Sequence, residues 1–154
     1  MALSNHERVG KALDILKDGL HPFIEREFKS VYRDKVLMEA RDRMGEDSKA
    51  AGQPINEWDA SLLLRLMWAS WNDVFGKTLG HAERSLVSEL RHVRNKWAHQ
   101  EPFTSDDADR ALDSMTRLLT AISAPQADEV GKMKMELRRL VYEEQVRGEK
   151  RKAG

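Results

Sequence analysis

The chain has 154 residues, enough for one domain with a substantial core. Its 26 Lys and Arg residues balance 26 Asp and Glu, which excludes coating of nucleic acid or an anionic membrane through overall basicity and leaves only local patches. The absence of cysteine excludes disulfides, thiolate catalysis and cysteine-ligated zinc.

The first residues, Met1-Ala2-Leu3-Ser4-Asn5-His6-Glu7, turn polar at once and lack the basic and apolar regions of a signal peptide. The longest run of large apolar residues, Leu62 to Leu64, is stopped by Arg65 and is far short of a membrane span. A soluble, cytoplasmic protein is expected. Ser4 and Glu7 match a capping box, and Val9, Ala12, Leu13, Leu16 and Leu20 form the apolar stripe of a first helix. Gly19 and Pro22 are expected to end it. A second helix is expected from Pro22, with Phe23, Ile24, Phe28, Val31 and Tyr32 as its apolar positions, continuing towards Leu37, Ala40 and Met44.

Residues 45–57 contain Gly45, Gly52 and Pro54 and read as a loop. Asp59 is placed to cap a third helix reaching about Phe75. Leu63, Met67, Ser70, Trp71 and Val74 share one face of it, and Leu64, Trp68 and Phe75 widen that face to nearly half the circumference. Such a face belongs to a central helix or to a subunit interface. Trp58, Trp68 and Trp71 read as core in preference to base-stacking platforms. Gly76 and Gly80 mark a break before a fourth helix running from His81 to about His99, with Pro102 closing it. Thr104 and Asp107 form a second capping signal before the stripe Ala108, Ala111, Leu112, Met115, Leu118, Leu119 and Ile122. Pro125 separates a last helix carrying Val130, Met133, Leu137, Leu140 and Val141. No segment alternates like a strand, so the expected fold is an all-α bundle of five to six helices. The domain is expected over 1–142, with 143–154 as a charged tail or a linker to a further module.

The fourth helix carries the chemistry. Leu86, Leu90, Val93 and Trp97 turn to the core, while Arg91, Asn95 and His99 follow at i, i+4 and i+8 on the other side. Arg94 lies at the edge of the apolar stripe beside the small Ala98. Arg94 and His99 point about 140° apart on an ideal helix, so they meet only if the helix distorts or a second copy shares the cleft. Between Lys77 and His99, the cations Lys77, Arg84, Arg91, Arg94 and Lys96 outnumber the acids Glu83 and Glu89, a local strip suited to phosphates. His6, His81 and His92 read as ordinary solvated residues. No histidine pair has the spacing and acidic company of a metal site, so neither metal nor cofactor is expected.

Arg94-Asn95-Lys96-Trp97-Ala98-His99 resembles the Arg-polar-x-x-x-His signature of the HEPN superfamily. Leu79-Gly80-His81-Ala82-Glu83-Arg84-Ser85-Leu86, Pro102-Phe103, the pattern from Asp107 through Arg110 to Arg117-Leu118-Leu119, and Ser4-Asn5-x-x-Arg8-Val9-Gly10 resemble one prokaryotic branch of it. That branch is similar to the domain of a yeast RNA-surveillance endonuclease, and the likeness covers most of residues 4–125. The resemblance implies a helical bundle that dimerises and brings two signatures to one cleft, with metal-independent cleavage of RNA. The implied catalytic residues are Arg94, Asn95 and His99. Arg91, Lys96, Lys77 and Arg84 would contact RNA, and Trp68, Phe75 and Ala98 would lie at the dimer interface. A place in prokaryotic defence or RNA restriction is implied. The alternative is a non-catalytic docking module of a larger assembly, with an ATPase or helicase module in the same chain or a partner.

Overall fold

The computed structural model describes residues 3–45 and 53–153, and residues 46–52 of the expected loop lie outside them. Six α-helices follow one another there: α1 (Asn5–Tyr32), α2 (Val36–Met44), α3 (Ala60–Ala69), α4 (His81–Ala98), α5 (Ser105–Ala121) and α6 (Gln126–Ala153). Single 3-10 turns occupy Arg33–Lys35, Ile55–Glu57 and Phe75–Lys77. No strand occurs among the described residues, so the chain is all-α as its periodicity predicts.

Ser4 caps α1, its hydroxyl accepting the Glu7 N–H at 3.0 Å. The expected break at Pro22 does not occur, because α1 continues through it. Leu16, Leu20, Phe23, Ile24 and Phe28 are buried along one continuous stripe, while Pro22 itself is exposed. An interior proline costs about 3 kcal/mol, and each large apolar side chain buried beyond it returns about 1.5–3 kcal/mol. Tertiary burial therefore wins. Gly19 is a packing residue and not a terminator: a Cβ there would come within 2.5 Å of Leu119 on α5.

Asp59 caps α3, accepting the Leu62 N–H at 3.0 Å, but the helix stops at Ala69 and falls short of the expected Phe75. Residues 70–74 fold back in turns, with the Val74 N–H donating to Ser70 at 2.9 Å and the Gly76 N–H to Trp71 at 2.6 Å. The turn lets Trp71, Val74 and Phe75 enter the core together. Phe75 meets Phe28 at 5.8 Å and Phe23 at 6.0 Å, so it is a core aromatic with no surface left for a partner, against its expected interface role. Leu62, Leu63, Leu64, Leu66 and Met67 are buried on all sides, which makes α3 the central helix, packed on α1, α2 and α4.

At the start of α5, Thr104 and Asp107 form the expected reciprocal cap. Its apolar stripe is fully buried between α1, α4 and α6. Arg138–Asp109 (2.8 Å) and Lys134–Asp113 (3.0 Å) pairs fasten α6 to α5. The charged segment after Tyr142 continues the helix to Ala153.

Candidate functional site

Helix α4 is regular to Ala98, and the chain leaves it by a glycine-free left-handed turn. Gln100 has φ 61°, its N–H donates to Trp97 at 3.1 Å, and the Glu101 N–H donates to Lys96 at 3.1 Å. That pattern satisfies the last carbonyls of the helix and fixes His99 as its C-cap residue. His99 and Asn95 are both exposed, and neither side chain forms a hydrogen bond among the described residues. Arg94 is in different company. It is half-buried, its guanidinium 3.6 Å from the same Asp59 carboxylate that caps α3. On ideal helical geometry Arg94 and His99 lie about 140° apart, and His99 stands just outside the helix as its C-cap residue, with φ −86° and ψ 8°.

The solvent face of α4 carries His81, Ser85, Ser88, His92, Asn95 and His99, and Glu89 lines one groove with His81, Ser85 and Ser88. Both acids of the helix are engaged: Glu83 accepts the Gly80 N–H at 2.9 Å, and Glu89 binds Arg110 and Ser114 of α5. Arg84 and Arg91 flank this face, their guanidinium carbons 4.7 and 6.0 Å from the Trp68 ring. The Arg84 Nε is buried without a hydrogen-bond partner. Lys77 is exposed in the turn before α4. Lys96 turns away, its Nζ lying 3.3 Å from Asp107 and 4.9 Å from the Phe103 ring centre, where it braces the corner between α4 and α5. Hydrogen bonds from the Thr104 backbone and hydroxyl and from Lys96 hold the Asp107 carboxyl below its usual range.

Trp58 and Trp71 are core, as expected, but Trp68 is 37% exposed, with Arg84 and Arg91 over its ring. Ala98 is exposed at the end of α4. Trp68 and Ala98 thus remain on the surface, and Phe75 does not.

Sequence reasoning missed the buttress behind the signature. His6, expected to be solvated, stacks on Trp97 with ring centres 5.3 Å apart and planes 11° from parallel. The Trp97 Nε1–H donates to the His6 carbonyl at 3.2 Å, and the His6 Nε2 lies 3.0 Å from the Trp97 carbonyl. Gly10 makes room for the indole, since a Cβ there would sit 2.7 Å from Trp97 Nε1. Asn5 donates to the Phe103 carbonyl at 3.1 Å and accepts from buried Arg8 at 3.0 Å. The opening turns of α1 therefore hold both the end of α4 and the loop that follows His99. The one signal for this was the Ser4-Asn5-x-x-Arg8-Val9-Gly10 motif itself.

Among the described residues no cluster of three His, Asp or Glu side chains could hold a metal ion, and no helix is long and apolar enough to cross a membrane. A family model described as Swt1-like HEPN matches residues 11–123, from the second turn of α1 to just beyond α5 and including the whole signature. No curated protein and no solved structure matches the chain.

Proposed function

The chain belongs to the Swt1-like HEPN family, and from that premise we propose that it is a metal-independent endoribonuclease acting as a homodimer. The family suggests an RNase-type or nucleotide-binding module. The observation favouring cleavage is the pair Asn95 and His99, exposed at the end of α4 with no side-chain hydrogen bond among the described residues. In the proposed reaction His99 accepts the proton of a ribose 2′-hydroxyl as that oxygen attacks the adjacent phosphorus. The 5′-oxygen departs and takes up a proton, leaving a 2′,3′-cyclic phosphate and a 5′-hydroxyl. Arg94 stabilises the charge that builds on the non-bridging oxygens, and Asn95 orients the phosphate. Lys77, Arg84 and Arg91 hold flanking phosphates; Lys96, engaged by Asp107 and Phe103, contributes least.

Five positions apart, Arg94 and His99 diverge by about 140° on an ideal helix, so the reading takes two copies, with the cleft between their α4 faces. Such faces repel each other until a polyanion lies between them, so substrate and assembly support each other. Incubation with mixed RNA in EDTA is the direct test. The parent is expected to cut RNA, to leave DNA intact and to release cyclic-phosphate ends. His99→Ala is expected to lose about 10²–10⁴-fold in rate while retaining the parental circular dichroism. Parental cutting by that variant would sink the assignment.

The second reading is a non-catalytic docking module for an ATPase- or helicase-containing assembly in prokaryotic defence. It is supported by the Asp59 tether on Arg94 and by the exposed Trp68. Under it, His99→Ala changes nothing measurable, whereas Trp68→Asp lowers the sedimentation coefficient to that of a monomer.

A further inference from the structure

Arg8 is 6% exposed, yet its one hydrogen bond goes to a neutral amide, Asn5 Oδ1, at 3.0 Å. No carboxylate among the described residues lies within ion-pair distance of it. Arg138, far more exposed, has Asp109 on two of its nitrogens. A guanidinium offers five N–H donors, so those that Asn5 does not take up are left open to the solvent of the cleft. Its place makes the imbalance worse: Arg8 sits in the first turns of α1, where the helix dipole disfavours a cation.

The group faces a cleft of about 340 Å³ between the N-terminal turns of α1 and α5 and the distal half of α6. Ser4, Ser105 and Arg147 line its polar part, and Leu140 and Val141 its apolar wall. The Ser4 hydroxyl accepts the Glu7 N–H and keeps its own proton to donate. Ser105 is the first residue of the 17-residue helix α5, so a second positive helix end opens on the same space. Glu144 also lines the cleft, one carboxylate against the two cations Arg8 and Arg147 and an acceptor for a hydroxyl or amino group of the ligand body.

We propose that this cleft binds a phosphate monoester, with Arg8 as its buried fork and Arg147 as its outer cation. Three non-bridging oxygens let one phosphate reach the guanidinium and the serine hydroxyls together, with Arg8 and Arg147 as two cations against the one carboxylate of Glu144. The apolar wall takes the face of the esterified body. The site is separate from the signature, where Arg94 turns towards α3, and it does not depend on RNA cleavage. It is linked to the loop after His99 through Asn5, which joins Arg8 to the Phe103 carbonyl.

The test is an NMR titration of the full chain with inorganic phosphate at constant ionic strength, with chloride as the control. The Asn5 and Ser105 amides are expected to shift saturably with phosphate alone. Arg8→Gln is expected to weaken binding by at least about tenfold, the scale of a lost charge-assisted hydrogen bond. Should that variant fail to fold, exposed Arg147→Gln is the substitute and is expected to weaken binding several-fold. A linear response, an equal response to chloride, or parental affinity in Arg147→Gln overturns the proposal. Competition then identifies the source: displacement by a nucleoside 5′-monophosphate indicates a small ligand, and displacement only by an RNA oligomer with a 5′-phosphate indicates recognition of an RNA end. Equal displacement by the 5′-hydroxyl oligomer overturns monoester recognition. Saturable phosphate binding in a protein that cuts no RNA retains this site and removes the nuclease.

Discussion

Arg94 and His99 leave the same helix in unlike surroundings, and the difference bears on how each can act. Arg94 has the Asp59 carboxylate as a counter-charge 3.6 Å from its guanidinium. His99 has none and is held only through its backbone, by the α4 end that Trp97 and His6 secure. Beside them, Asp107 is a carboxylate whose ionised form the fold favours, through Thr104 first and Lys96 after it. Asp113 is held low in the same way, chiefly by its hydrogen bond from Arg117. A carboxyl whose folded pKa is depressed contributes stability above the unfolded value and loses it as pH falls through the folded one. Stability is therefore expected to decline as pH drops below the ordinary carboxylate value of 3.8. Asp107→Asn should melt below the parent at neutral pH and converge with it in acid, which thermal melts across that range would show. The signature was legible from residue types alone, because no packing role calls for an arginine, an amide and a histidine in six positions. Arg8 and His6 were not, since their roles depend on partners about 90 or more residues away or on a cleft no local pattern describes.

At the scale of elements, periodicity located the helices and failed at their ends, where tertiary burial overrides local punctuation. Pro22 and Gly19 are strong breakers in isolation, yet both lie inside α1 because the stripe from Leu16 to Phe28 is continuous. The opposite happened after Ala69, where the apolar periodicity persists but the chain turns so that Phe75 can reach the aromatic cluster. Two glycines separate local propensity from packing. Replacing an interior helical glycine by alanine ordinarily gains about 1 kcal/mol. Gly131 in α6 should show that gain, because its Cβ would meet Thr116 at an ordinary 3.8 Å. Gly10 should not: the new carbon would lie 2.7, 3.0 and 3.1 Å from three atoms of the rigid Trp97 indole. Overpacking of that kind costs about 1–3 kcal/mol, so Gly10→Ala is expected to lower the urea midpoint while Gly131→Ala raises it. If Gly10→Ala is as stabilising as Gly131→Ala, Trp97 does not brace the signature as described.

For the whole molecule, the five-residue spacing of Arg94 and His99 decides what an assembly supplies. Within one chain Arg94 pairs with Asp59 at the cap of α3, while His99 is exposed at the C-cap of α4. If the reacting groups come from two copies, each site takes Arg94 from one and His99 from the other. A two-fold axis then generates a pair of equivalent sites. This arrangement has a consequence that a one-chain site lacks. Arg94→Ala and His99→Ala homodimers should both be inactive, but a heterodimer formed by mixing them places both lesions in one site and leaves the other intact. Random exchange yields half heterodimers, so the mixture should recover about a quarter of parental cleavage. Under the proposed two-copy site, with a cationic strip from each α4, activity should also fall steeply with salt. Refolding the two variants together and assaying RNA cleavage measures the recovery. A mixture as inactive as its components, under conditions where subunit exchange is confirmed by mass, would place the chemistry within a single chain or remove it altogether.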